Sequence, residues 1–182
     1  MCRSCDGTGR PKRTMATRAR GFVLAGGRSH RFGEDKARFL VDGIPMALRV
    51  FRAMEQAGLD PCFVARDRRL EDLGPVLVED PSGPQHPLNG VVAALEAGGG
   101  MLAPCDLPFL PAEAFARLHP DHVADGCPLL GNYDSAWLDR AKMHLSCGLS
   151  AHAFSEPAQR VSFPQHWLKN VNTRHDLDTK TP

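Results

Sequence analysis

The sequence lacks several features that mark large classes of protein. It has no apolar run long enough to span a membrane and no short apolar segment with a cleavage site at its start, so we expect a cytoplasmic protein that binds no membrane. Its net charge is only +1, which gives no general attraction to nucleic acid. What remains is a chain of 182 residues, long enough to bury one hydrophobic core without disulfides.

Closely spaced cysteines are also scarce. Cys2 and Cys5 form one Cys-x-x-Cys pair, whereas the other four are isolated in the sequence: Cys62, Cys105, Cys127 and Cys147. A structural zinc site needs four ligands, so a disordered extension is favoured over a zinc-binding knuckle at the start of the chain. This start is rich in basic side chains. We therefore predict a disordered basic extension over residues 1–20 and a single domain over residues 21–182.

A glycine-rich segment, LAGGRSHRFGEDKA at residues 24–37, follows the first predicted strand at residues 21–25. Glycine lets backbone N–H groups approach an anion closely, and Arg31 and Lys36 add positive charge. A solvated surface turn would be the simpler explanation of an isolated glycine pair. Three glycines, Arg31 and an Asp-Lys pair in one loop instead favour an anion site, with a nucleoside triphosphate as the anion.

Apolar runs and helical patterns alternate along the chain. Strands are predicted at residues 21–25, 62–65, 76–78, 101–103 and 129–130, and helices from residue 45 to a stop at Gly58 and at residues 91–97, 111–118 and 137–145. This alternation predicts an α/β fold with a mostly parallel sheet and helices on both faces. Ligands of such sheets bind beyond the carboxyl ends of the strands, which would bring Gly26, Asp80 and Asp106 to one edge.

The glycine-rich segment is neither a Walker A loop, which ends in Gly-Lys-Ser/Thr, nor a GxGxxG dinucleotide loop. It resembles LAGGxSxRxGxDKA, the signature of the molybdenum cofactor guanylyltransferase (MobA-type) family, at every fixed position. PCDLPFLP at residues 104–111 and NVNT at residues 170–173 resemble two further segments of that family. The resemblance implies a three-layer α/β/α, Rossmann-like nucleotidyltransferase fold.

The resemblance also implies an activity in molybdenum cofactor biosynthesis. The enzyme would transfer GMP from GTP to molybdopterin in a Mg²⁺-dependent reaction that releases pyrophosphate. GTP and molybdopterin would be its small-molecule substrates, and transient contact with molybdoenzyme maturation proteins would fit this role. Neither nucleic acid nor membrane is expected as a partner.

Nucleotidyl transfer brings negative groups together, so it needs donors and cations around the phosphates more than a covalent nucleophile. The resemblance implies that the Gly26 and Gly27 amides, with Arg31, hold the β- and γ-phosphates. Lys36 would bridge phosphate oxygens, and Asp106 would bind Mg²⁺, which takes few carboxylates. Arg31, Lys36 and Asp106 are thus the catalytic candidates. The nucleotide-binding candidates are Leu24, Ala25, Gly26, Gly27, Lys36, Asp80 and Asp106.

Simpler explanations stand beside these roles. Lys36 could be a surface lysine, and Asp106 could cap a helix before Pro108, since Asp is a favoured cap. Asp80 could contact the base or ribose, or could be an ordinary turn residue. Asn170 and Asn172 match the family segment expected near the metal and the acceptor, although asparagines are also common in turns.

Three positions depart from the family pattern. His86 replaces a glycine of the usual GPLxG segment, and Ala65 stands where a polar, nucleotide-contacting residue is expected. Gly148-Leu149-Ser150 occupies the place of a basic turn that would hold an acceptor phosphate. Two alternatives therefore stay open: the same chemistry with CTP or with a sugar phosphate or other small phosphate acceptor, and a non-catalytic GTP-binding module.

Overall fold

A seven-stranded sheet forms the centre of the domain. The computed structural model describes residues 18–27, 35–80, 85–173 and 176. The strands in these ranges are β1 (Arg20–Leu24), β2 (Leu40–Val41), β3 (Ile44–Pro45), β4 (Asp60–Ala65), β5 (Val76–Val78), β6 (Gly99–Pro104), β7 (His122–Ala124), β8 (Cys127–Asp134) and β9 (Gln159–Val161). The sheet order is β5-β4-β1-β6-β8-β7-β9, and β2 and β3 form a separate hairpin.

Helices cover both faces of this sheet. They are α1 (Met46–Gln56), α2 (Leu88–Glu96), α3 (Ala112–Ala116), α4 (Leu138–Ser146) and α5 (Ala151–Phe154), with 3₁₀ turns at Lys36–Arg38 and Ser135–Trp137. Successive strand residues point to opposite faces, so Val23 of β1 packs with α1 and α3, whereas Phe22 packs with α2, α4 and α5. The predicted three-layer α/β/α architecture is confirmed.

Strand direction agrees with the prediction of a mostly parallel sheet. β1 pairs in parallel with β4 and β6, and β4 pairs in parallel with β5. β8 is antiparallel to both of its neighbours, β6 and β7. Because β1, β4, β5 and β6 run in the same direction, their carboxyl ends meet at one edge of the sheet.

The structure corrects the prediction at the start of β6. The sequence predicts a helix that ends at residue 97 and a strand that begins only at residue 101, but Gly99 and Gly100 belong to β6. Both have positive φ, and a Cβ would lie 2.6 Å from Tyr133 O at Gly99 and 2.5 Å from Arg20 O at Gly100. Glycine is therefore needed here because the neighbouring strands approach closely.

The later half of the domain is more regular than predicted. The strand expected at residues 129–130 is the eight-residue β8, and β7, β9 and α5 had no clear sequence pattern. Residues 1–17 of the predicted extension, with most of its basic residues, lie outside the described ranges, as does Arg31, whereas Arg20 begins β1. None of the described helices is both long enough and apolar enough to cross a membrane.

Candidate active site

A cleft of about 260 Å³ opens at the edge where the parallel strands end. It is lined by Leu24, Ala25, Gly26, Gly27, Asp35, Lys36, Ala37, Glu79, Gln85, His86, Pro87, Gly90, Pro104, Cys105, Asp106 and Leu129. Six of the seven predicted nucleotide-binding residues are in this set, and Asp80 is not. The structure thus brings together residues from the ends of three strands and from the start of α2.

The beginning of the glycine-rich loop continues the pairing of β1 beyond the strand. Ala25 N donates to Val64 O at 2.8 Å, and Leu24 O accepts from Cys105 N at 3.0 Å. A Cβ on Gly26 would lie 2.5 Å from Glu79 Oε1, whereas a Cβ on Gly27 would meet no atom of the described residues within 4 Å. Gly26 therefore makes room for a protein side chain, and Gly27 is the residue whose backbone is open to a ligand.

Lys36 begins the 3₁₀ turn that follows the loop. The turn is capped by Asp35, whose Oδ1 accepts from Ala37 N at 3.1 Å, and the buried Ala37 side chain anchors it to the core. Lys36 Nζ donates to Asp106 Oδ2 at 2.8 Å and to Asn172 Oδ1 at 2.5 Å. Three parts of the chain that are distant in sequence therefore meet at the Lys36 ammonium group.

Asp106 lies two residues after the end of β6 and caps no helix in the described ranges. The next helix, α3, begins at Ala112 with Pro111 as its N-terminal flanking residue. The Asp106 carboxylate is only partly exposed, at 21%, and is paired with Lys36. The alternative in which Asp106 acts as an N-cap is therefore wrong, and its carboxylate faces the cleft.

The segment at residues 170–173 is docked beside Asp106. Val171 N donates to Asp106 O at 2.9 Å, and the fully buried Val171 side chain packs with Val41 and Met46. Asp176 Oδ2 accepts from Asn172 N and Thr173 N, each at 2.7 Å. These contacts place the Asn172 side chain against Lys36, whereas Asn170 lies outside the first cleft.

Arg69 is a residue of this site that the sequence analysis did not identify. Its Nη2 donates to Ala25 O at 2.9 Å, and its Nε forms an ion pair with Asp35 Oδ2 at 2.8 Å. Arg69 thus joins the strand that precedes the glycine-rich loop to the turn that follows it. Arg69 lies in a charged loop after β4, and no local pattern marks it among its neighbouring charges.

Two consecutive acidic residues after β5 have different surroundings. Asp80 is exposed and does not line the cleft, whereas Glu79 lines it and is only 4% exposed. Burial raises the pKa of Glu79, and the nearby positive charges of Arg66 and Arg69 oppose that rise. The nucleotide contact predicted at this position was Asp80, the second of the two residues. Strand alternation was the available signal, but the end of β5 could not be located to within one residue.

A second cleft of about 560 Å³ adjoins the first. It is lined by His86, Pro87, Pro104, Asp106, Gly126, Cys127, Pro128, Leu129, Gly148, Ser150, Ala151, His152 and Asn170. Five of these residues, including Asp106, also line the first cleft. Asn170 and the turn at residues 148–150, both predicted to lie on the acceptor side, are part of this second cleft. His86 stands between the clefts, and its Nδ1 accepts from Leu88 N at 3.2 Å at the start of α2.

Cys105 lines the first cleft but is unsuited to covalent catalysis. Burial, reinforced by the adjacent Asp106 charge, raises the pKa of its thiol to about 12. The thiolate is the nucleophilic form, so Cys105 stays protonated and unreactive near neutral pH. The chemistry of the cleft therefore belongs to its charged side chains and backbone amides.

The side chains near Asp106 suit Mg²⁺ better than a metal ion that needs three or four protein ligands. In the part of the chain that the structure describes, no three His, Cys, Asp or Glu side chains are grouped as a metal site. Mg²⁺ commonly takes one or two carboxylates and completes its shell with water and substrate phosphates. Asp106, with one carboxylate oxygen held by Lys36 and its side chain at the cleft surface, fits that mode of binding.

Comparisons with known proteins identify the family. The MobA-like NTP transferase domain matches residues 21–153, so the chain belongs to the MobA-like NTP transferase family. A molybdenum cofactor guanylyltransferase from Burkholderia ambifaria (strain MC40-6) is 37% identical over 111 residues, which cover 54% of each chain. The chain thus spans about half the length of the curated Burkholderia relatives that it matches. The family resemblance seen in the sequence is confirmed.

Two further relatives cover more of the chain. A probable molybdenum cofactor guanylyltransferase from Thermococcus gammatolerans is 29% identical over 186 residues, covering 86% of this chain and 96% of that protein. The structure of molybdopterin-guanine dinucleotide biosynthesis protein A from Archaeoglobus fulgidus has a TM-score of 0.70 at 22% identity, covering 87% of this chain and 95% of that one. This structural likeness establishes the nucleotidyltransferase fold.

Proposed function

We propose that the chain is a Mg²⁺-dependent enzyme that transfers GMP from GTP to molybdopterin and releases pyrophosphate. The main support is the Lys36–Asp106 pair, which lies where the two clefts adjoin. A nucleotide in the first cleft and an acceptor phosphate in the second would meet at this pair. The choice of GTP and molybdopterin rests on the named function of the Burkholderia and Thermococcus relatives.

The residues of the first cleft supply what the reaction requires. The open backbone N–H of Gly27 can donate to phosphate oxygens. Lys36 Nζ can replace its hydrogen bonds to Asp106 and Asn172 with hydrogen bonds to the transferring phosphate. Asp106 would hold Mg²⁺, which offsets the charge of the triphosphate when bound. Arg31, which is part of the family signature, remains a candidate for the outer phosphates.

The proposal is tested by product identification. The protein is incubated with Mg²⁺, molybdopterin and each of the four nucleoside triphosphates, and the products are identified by mass. We expect molybdopterin guanine dinucleotide and stoichiometric pyrophosphate from GTP alone. Pyrophosphate formation that does not depend on the acceptor, or a dinucleotide product from another triphosphate, would contradict the proposed function.

The second cleft gives a reason to test other acceptors. Among its described lining residues there is no lysine or arginine, and the basic side chains are those of His86 and His152. An acceptor phosphate would therefore be held less strongly than by the basic turn expected in the family. If molybdopterin gives no product, CTP is tested next as the donor and small sugar phosphates as the acceptor. Tight GTP binding without turnover on any acceptor would instead indicate a non-catalytic GTP-binding module.

A further inference from the structure

Glu79 combines burial with access to the nucleotide cleft. Its backbone is fixed by the sheet, since Glu79 N donates to Ala65 O at 2.9 Å. Its side chain lines the first cleft although the residue is only 4% exposed. Within the described ranges, no residue donates a hydrogen bond to its carboxylate. Buried polar groups are nearly always hydrogen-bonded, so this carboxylate is a strong candidate for ligand binding.

Two glycines from different elements make room for this carboxylate. A Cβ on Gly26 would lie 2.5 Å from Glu79 Oε1, and a Cβ on Gly90 of α2 would lie 3.3 Å from Oε2. The carboxylate therefore forms the floor of the cleft between the glycine-rich loop and α2. Gly27, at the open side of the loop, is separate from this floor. A ligand whose phosphates approach Gly27 can thus place another part of itself against Glu79.

We propose that Glu79 determines the base specificity of the nucleotide site by accepting hydrogen bonds from guanine N1–H and the guanine 2-amino group. This inference rests on the proposed function, in which the first cleft binds GTP. Guanine presents two adjacent donors on this edge, and an ionised carboxylate has acceptors only, in a matching bidentate arrangement. Adenine and cytosine each place a ring acceptor beside a single amino donor, so one carboxylate oxygen would face a lone pair.

Two neighbouring residues that could have contacted the base are not placed to do so. Ala65 is fully buried and apolar at the end of β4, where the family resemblance predicted a polar contact. Asp80 is exposed outside the cleft. A base that leaves a buried carboxylate without donors loses the hydrogen bonds and also bears the desolvation of the charged group. Glu79 therefore discriminates against the wrong base as well as binding the right one.

The test uses an isosteric variant and three purine triphosphates. Glu79→Gln replaces one acceptor with an amide donor. The affinities of wild-type protein and variant for GTP, ITP and XTP are measured by calorimetry with Mg²⁺. ITP lacks the 2-amino group, and XTP has a carbonyl oxygen in its place. Wild-type protein should bind GTP about 10- to 100-fold more tightly than ITP or XTP, the range expected for a hydrogen bond to a charged group.

The variant should reverse the order of preference. The glutamine amide can donate to the xanthine 2-carbonyl while its oxygen accepts from N1–H, so XTP should bind Glu79→Gln more tightly than GTP. Glu71→Gln, a surface glutamate whose side chain is 50% exposed, is the matched control and should keep the wild-type preference. Melting curves of both variants verify that they are folded.

Different failures have different meanings. If wild-type protein binds no triphosphate, the proposed function is wrong together with this inference. If wild-type protein binds GTP and the preference of Glu79→Gln is unchanged, the inference alone is wrong. If Glu79→Gln does not fold, the wild-type comparison still decides, because equal affinities for GTP and XTP would overturn the role of Glu79.

Discussion

Lys36 is held by two side chains from distant parts of the chain. Its ammonium group donates to Asp106 and Asn172 at the junction of the two clefts. In the proposed function, a transferring phosphate would approach the position of these two acceptors. The ammonium group would then be positioned for phosphate before the nucleotide binds, which is the condition for effective electrostatic catalysis.

We expect Lys36→Ala to reduce kcat far more than GTP affinity. Removing one preorganised donor costs on the order of 10²–10³ in rate, whereas the loop amides would still contact the triphosphate. Steady-state kinetics and GTP titrations separate the two effects. Lys142→Ala, which removes a lysine that is 51% exposed and paired with Glu96, is the control and should behave as wild type. An unchanged kcat in Lys36→Ala would refute the catalytic role.

Asp106→Asn tests whether the Asp106 charge is needed. Asparagine keeps the shape and the backbone acceptor for Val171 N, but loses the ion pair with Lys36 and the metal-binding charge. A partly exposed ion pair contributes about 1 kcal/mol or less, so the melting temperature should change little. Mg²⁺-dependent GTP binding and product formation should fall close to background, with only partial recovery at higher Mg²⁺.

The control for this variant is Asp60→Asn at the exposed start of β4, at the opposite end of that strand from the site. It should keep full activity. Turnover of Asp106→Asn within about threefold of wild type, a difference of roughly 0.7 kcal/mol in the barrier, would show that the carboxylate charge is not catalytic.

At the level of elements, the segment at residues 170–173 completes the site from the far end of the chain. Val171 is fully buried, and Asp176 accepts from two consecutive backbone N–H groups of the segment. The burial of Val171, together with these hydrogen bonds, therefore places Asn172 against Lys36. Val171 is the one apolar residue of this Asn-Val-Asn-Thr segment, so its docking should be weaker than that of the core strands.

We expect Val171→Ala to loosen this segment and to lower kcat. The change removes about 1–3 kcal/mol of apolar burial from the docking contact. Hydrogen exchange should show faster exchange at residues 170–173 and little change in β1, β4 and β6. Val123→Ala, at an equally buried valine of β7, should lower the melting temperature without lowering kcat below that temperature. Equal effects of the two variants on kcat would contradict a specific role for the segment.

The two glycines after β1 should respond differently to a side chain. Gly26→Ala places a Cβ 2.5 Å from Glu79 Oε1, so it should cost about 1–3 kcal/mol of stability and displace the Glu79 carboxylate. Gly27→Ala meets no atom within 4 Å in the part of the chain that the structure describes, and should stay within about 0.5 kcal/mol of wild type. Urea denaturation of both variants measures the difference. A larger loss for Gly27→Ala than for Gly26→Ala would contradict the described loop.

At the scale of the whole molecule, Glu79 couples stability to pH. Burial raises its pKa in the folded state above the ordinary glutamate value of about 4.3. The folded protein then binds this proton more tightly than the unfolded chain does. The stability that this tighter proton binding contributes is fully present below the pKa of Glu79 in the unfolded chain. It is lost as pH rises through the pKa of Glu79 in the folded protein.

Glu79→Gln cannot titrate, so its melting temperature relative to wild type should increase as pH rises from about 4 to 7 in nucleotide-free protein. Thermal melts of both proteins at several pH values measure this difference. Glu71→Gln, at an exposed glutamate, should show a nearly constant difference from wild type. A constant difference for Glu79→Gln would mean that the buried carboxylate carries no desolvation cost.

The sequence by itself determined the architecture of the nucleotide-binding half. Short continuous apolar runs predicted β1, β4, β5 and β6, since a buried parallel strand has a local pattern. The glycine-rich segment and Asp106 could be placed at strand ends for the same reason. The antiparallel β8 and the edge strands β7 and β9 were less visible, because their direction and pairing depend on neighbours that are far away in sequence.

Only the tertiary structure decided which side chains meet. Asp106 and Asn172 contact Lys36 although they are 70 and 136 residues away in sequence. Arg69, in the loop after β4, forms an ion pair with Asp35. The distinction between Glu79 and Asp80 depended on a single position, because adjacent residues at a strand end point to opposite sides. Sequence patterns specify local conformation, whereas contacts of this kind are fixed by the packing of the whole domain.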